Sequence, residues 1–155
     1  MALACAGGFT AACGDDAAMP EQQVGGDAAV YAACPDSLPE FAVGLARVGE
    51  DERLQARLLD ASQFPPHKYA NEWTLELANA DGDPLVDAEI TRLAAFMPIH
   101  GHYGRPAAKY EALAEPGQVR AEIHFTMRGP WEVQIWASSA EAGDDYLTFE
   151  VCVVE

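Results

Sequence analysis

The sequence predicts an all-β sandwich of about seven antiparallel strands. Three observations carry this. Several runs alternate apolar and polar residues with period two, Gly and Pro punctuate the chain at short intervals, and helix-period patterns are scarce.

The strands follow in order. Residues 41–46 alternate Phe41, Val43 and Leu45 against small residues, and 54–59 follow after the charged turn GEDER. Trp73, Leu75 and Leu77 share one strand face, with Glu72, Thr74 and Glu76 on the other. The turn NADGDP (79–84) supplies positive φ at Gly and a stop at Pro. Residues 86–96 read as the next strand. The cleanest is 118–127, where Val119, Ala121, Ile123, Phe125 and Met127 oppose Arg120, Glu122, His124 and Thr126. After Arg128-Gly129-Pro130, Trp131, Val133 and Ile135 alternate with Glu132, Gln134 and Trp136, which places Trp136 on the outside. The last strand, 146–154, sets Leu147, Phe149, Val151 and Val153 against Thr148, Glu150 and Cys152. The longest irregular piece spans 100–116, and long loops in compact domains are often functional.

With 155 residues, half of them hydrophobic, one domain with its own core is expected at 34–155. Residues 1–33, rich in Ala and Gly and without Lys or Arg, read as a leader or tether too poor in apolar surface to order itself. Within it, Thr10-Ala11-Ala12-Cys13 has the form of a bacterial lipobox, with Cys13 as the lipidation site and Asp15 and Asp16 opening a polar tether. Export is the resulting expectation. No run approaches the roughly 18 to 20 apolar residues of a membrane span. Twenty-five acidic residues against nine basic ones, a net charge of −16, lack the basic footprint of nucleic-acid or anionic-membrane binding.

The four cysteines, 5, 13, 34 and 152, contain no CxxC pair. Cys34 opens the folded part and Cys152 lies on the outward parity of the last strand. A bridge between them would close a loop worth ~4 to 5 kcal/mol in the chain-entropy model; the alternative is two free thiols.

The densest chemistry is FMPIHGHYG (96–104). Thioether and imidazole together suit copper: sulfur for Cu(I), imidazole for either oxidation state. Met97 ends a strand that Pro98 stops, and Gly101 lets His100 and His102 bend toward one ion. Met127 is the candidate fourth ligand, His124 a weaker one on the opposite face, and His67 has no ligand spacing. The competing account makes both methionines core residues and both histidines solvated. Enzymatic chemistry is not expected, since neither a GxSxG elbow nor a Gly-rich phosphate loop occurs.

From residue 34 to 155 the chain resembles the YtkA-like domain family of exported bacterial proteins, in its lipoprotein version. The resemblance runs through Phe64-Pro65-Pro66 with Asn71 and Trp73, Asp81-Gly82-x-Pro84, Met97-Pro98-x-His100-Gly101-His102, Met127-x-Gly129-x-Trp131, and Cys152 in the last strand. It departs where Tyr103 separates His102 from Gly104 and where the DGxP turn is one residue short. The resemblance implies an immunoglobulin-like β-sandwich in the periplasm or cell envelope, lipid-anchored where Cys13 is modified, that binds copper through Met97, His100, His102 and Met127. The alternative is a structural or interaction module serving envelope proteins without metal.

Overall fold

The computed structural model describes residues 33–155, so Cys13 and all of the leader but Ala33 lie outside the described residues. Among the described residues nine strands form: β1 (Ala46–Val48), β2 (Leu54–Ala61), β3 (Tyr69–Asn79), β4 (Glu89–Met97), β5 (His102–Tyr103), β6 (Lys109–Ala112), β7 (Gln118–Phe125), β8 (Gly129–Ser139) and β9 (Gly143–Val153). They build two antiparallel sheets, ordered β1-β2-β3-β7-β6 and β5-β4-β8-β9. The all-β sandwich is therefore the observed architecture.

Period-two patterning places the core between the sheets. Asn71, Trp73, Leu75 and Leu77 of β3, Val119, Ala121, Ile123 and Phe125 of β7, and Trp131, Val133 and Ile135 of β8 are all buried. Aromatic contacts stitch the layers. Trp73 meets Phe149 at 6.0 Å edge-on, and Phe125 meets Trp131 at 5.4 Å edge-on. Such pairs contribute about 0.5–1.5 kcal/mol each beyond the area they bury.

Four strand limits differ from the sequence reading. Residues 41–45 form a turn rather than a strand, with Gly44 at φ 89°. Residues 86–88 are also outside a strand, with Val86 exposed, and the register shifts between Ile90 and Arg92. The segment 100–116 carries β5, on one sheet, and β6, on the other. Strand β7 ends at Phe125, so Met127 lies in the bend after it. Trp136 is half-buried on the outer face, packed under the Arg92 guanidinium at 4.3 Å and beside Tyr146 at 4.9 Å.

Two devices secure the ends. At the end where β9 finishes, Cys34 and Cys152 form a disulfide 118 residues apart in sequence. At the opposite end Asp145 is buried and accepts from the backbone N–H groups of Asp51, Arg53 and Leu54 at 2.9–3.0 Å. A Cβ on Gly49 would collide with this carboxylate, which explains the glycine opening the GEDER turn. Burial pushes the Asp145 carboxyl up, but the donors of Asp51, Leu54, Arg53 and Tyr146 outweigh it and leave its pKa below the ordinary 3.8. Asp87 clamps the neighbouring turn in the same way, accepting from Ser139, Ala140 and Glu141.

Asp145→Ala leaves four backbone donors, of Asp51, Arg53, Leu54 and Tyr146, without their acceptor and is expected to cost on the order of 3 kcal/mol in urea unfolding. The Asp145 carboxylate contributes its stability in full above the unfolded-chain pKa. That contribution is lost as pH falls through the lower folded value. Asp145→Asn should therefore unfold at lower urea than the parent at pH 7 but lose less stability between pH 5 and about pH 3. Equal acid sensitivity in parent and variant would contradict the assignment.

Candidate metal site at the Met97 end

The site grows from the end of β4. Pro98 has no N–H to continue the ladder, and the chain turns back at once. The Met97 carbonyl accepts from His100 N at 3.2 Å and Gly101 N at 2.8 Å, and Gly101 closes the turn at φ 63°. That left-handed conformation favours glycine. The chain re-enters the sheet as β5, where His102 pairs directly with Met97. Paired residues project to the same face. Met97 points into the core and is fully buried, so His102 follows it inward and is half-buried.

The ring of His102 lies edge-on to Trp131 at 5.6 Å and near-parallel to His100 at 5.9 Å, with 20° between the planes. His100 is exposed. The His102 Nδ1 lies 3.4 Å from the Tyr103 carbonyl. Trp131 Nε1 donates to the Met127 carbonyl at 2.9 Å, which holds the 126–128 bend against the same indole. Met127 itself is half-buried against the core. Met97, His100 and His102 thus gather at one end of the sandwich, and the backbone of Met127 reaches their neighbour Trp131.

The other histidines are engaged elsewhere. His124 Nε2 bonds Glu122 at 3.0 Å on the outer face. The bonds from His124 and then Lys109 hold the Glu122 carboxyl below its ordinary range. The backbone N–H of His67 donates to Asn71 Oδ1 at 3.0 Å, and Asn71 Nδ2 donates to the carbonyls of His67 and Tyr69. Asn71 is 1% exposed and is the clamp that holds the turn after Pro65-Pro66. Sequence reasoning placed Asn71 in a motif but missed this role. Phe96 has the opposite parity to Met97 and packs at a tilt against Tyr103 at 5.0 Å, Ile99 is exposed, and Trp131 packs edge-on to the His102 ring.

Gly104 is where the chain leaves this sheet for β6. Its N–H donates to Ala95 O at 2.8 Å, and a Cβ there would collide with the His124 carbonyl. Around Gly101 the space for a Cβ is open. Gly101→Ala should cost roughly 1 kcal/mol, the strain of positive φ, whereas Gly104→Ala should cost clearly more, because two backbones must part. Urea unfolding of the two variants checks the order, and a Gly104→Ala variant as stable as the parent would refute the close approach.

The description of the YtkA-like family matches residues 50–136, from the β1–β2 turn into β8, and so includes Asn71, the 79–84 turn, the Met97–His102 turn and Met127. No curated protein and no solved structure matches the chain. The match covers more than half of the sequence. The chain belongs to the YtkA-like family.

Proposed function

We propose that this chain is an exported, non-catalytic copper-binding module that buffers copper or hands it on. The observation that carries the reading is the pairing of His102 with Met97 under a near-parallel His100. The two imidazoles lie 5.9 Å apart there, next to the strand end that carries Met97, and Met127 lies in the adjoining bend. Among the described residues no three His, Cys, Asp or Glu side chains gather where they could hold an ion. Met97 and Met127 are the thioethers at this end, and thioether sulfur suits Cu(I). The buried Trp131 beside His102 supplies an apolar wall that disfavours the more hydrated Cu(II). Family membership and the Cys34–Cys152 bridge support export, because such bridges persist in oxidising compartments. A second reading, an envelope interaction module, draws on the exposed Ile99 and Tyr103 beside the same turn.

A competition titration of the full chain with Cu(I) against a chromogenic chelator tests this. Ascorbate keeps copper reduced and spares the disulfide, and Cys5→Ser/Cys13→Ser removes the leader thiols. One equivalent should bind, with quenching of tryptophan fluorescence because Trp131 lies beside the site. His100→Ala/His102→Ala should abolish binding. Met97→Leu, which conserves core volume, should weaken it at least tenfold while the fold persists. Undiminished binding by the double histidine variant, or none by the parent, would remove copper from the account.

A further inference from the structure

The charge of the described fold is separated along the sandwich axis. The connections at the end away from Met97, residues 49–53, 80–88, 113–117 and 140–142, hold eight acidic residues and one basic, Arg53. Those at the Met97 end, 62–68, 98–108, 126–128 and 154–155, hold three basic residues and one acidic. Asp36 and Glu40 on the entering segment, with Glu132 and Glu150 beside Pro98 and Trp131, leave this end far less acidic than the other. Strands β8 and β9, of 11 residues each, separate the two ends by about 35 Å. That is several Debye lengths at physiological salt, ~8 Å each. A surface touching the Met97 end therefore hardly senses the acidic end. The net charge of −16, which opposes anionic membranes for the chain as a whole, does not describe this face.

The same end is apolar at its rim. Ile99, Tyr103, Phe64 and Tyr69 are 57%, 48%, 44% and 68% exposed. Tyr69 holds a positive φ of 75°, uncommon for an aromatic residue, and its carbonyl accepts from the buried Asn71. The Lys68 ammonium lies 5.5 Å from the Tyr69 ring. Tyrosines and an isoleucine at loop tips beside Lys and Arg are the composition of a bilayer interface. The chain also enters here. The first described residues lie at this end, because Cys34 is bonded to Cys152 at the end of β9.

We infer that the Met97 end is the membrane-facing end of the domain, resting on the lipid headgroup surface when the N-terminal segment tethers the chain. A tether of about 20 residues spans roughly 25 Å root-mean-square, short enough to keep that end near the bilayer. His100 and His102 then open toward the membrane, and a partner exchanging metal with them is membrane-embedded. The inference rests on the tethered, exported reading and not on copper, so it is tested on metal-free protein.

The full chain with Cys5→Ser is coupled through Cys13 to a maleimide-headgroup lipid in vesicles of phosphatidylethanolamine and phosphatidylglycerol. Amide hydrogen exchange is compared with the uncoupled chain. Exchange in 64–69 and 98–104 should slow several-fold, while 49–53 and 80–88 remain unchanged. Ile99→Asp/Tyr103→Asp should erase the difference. Equal slowing at both ends, or slowing at the acidic end, overturns the orientation. No slowing at either end overturns the lipid assignment and leaves the apolar rim to a protein partner. Loss of copper binding in the earlier titration would leave this result untouched.

Discussion

The contact on which the rest of the structure depends is the edge-on packing of Phe125 against Trp131. The two residues flank the bend 126–128, where the chain passes from one sheet to the other, so their contact sets how the layers meet. Trp73 extends the contact on one side, meeting Phe125 at 6.4 Å and Phe41 at 4.8 Å. His102 extends it on the other, against Trp131. A row of rings thus leads from the middle of the core to the candidate metal site. The imidazole closest to the core is oriented by the packing that holds the sandwich together. A buried indole has two polar demands, a partner for its N–H and close neighbours for its ring. Trp131 meets the first with the Met127 carbonyl and so draws the bend, and with it a second methionine, to the same place.

Within the stretch that matches the YtkA-like family, residues divide between scaffold and chemistry. Asn71 holds a turn through three hydrogen bonds. Asn79 Oδ1 accepts from Asp81 and Asp83 and shapes the turn that Gly82 and Pro84 occupy. Gly104 yields room where two sheets exchange a segment. None of these carries a donor suited to a soft metal. Met97, His100 and His102 do, and they occupy a single turn in which the His100 and His102 rings lie 5.9 Å apart. Pro98 and Gly104 serve the chemical residues, by setting where β4 stops and where the chain crosses.

Much of this was legible beforehand because alternation is a local property. The faces of β3, β7, β8 and β9 follow from period two alone, and so does the outward parity of Cys152. The candidate donors were legible because Met and His are chemically distinctive. The strand limits were not. Residues 41–45 alternate as a strand should, yet Gly44 takes a left-handed conformation and the chain turns. Met127 continues the apolar parity of β7, yet the strand has already ended at Phe125. Alternation reports which face a side chain would take and cannot report where hydrogen bonding to a neighbour stops.

By itself the sequence determined the class of fold, the buried faces, the donors and the strongly acidic charge. The tertiary structure alone decided that His102 faces inward opposite Met97, that Trp136 is covered by Arg92, and that 100–116 is shared between two sheets. It also decided that the most acidic connections lie at the end away from the Met97 turn. The physical reason is common to all four. Each depends on which strands become neighbours and in what register, and that is set by long-range pairing and by packing between layers, neither of which leaves a mark on any single stretch of chain.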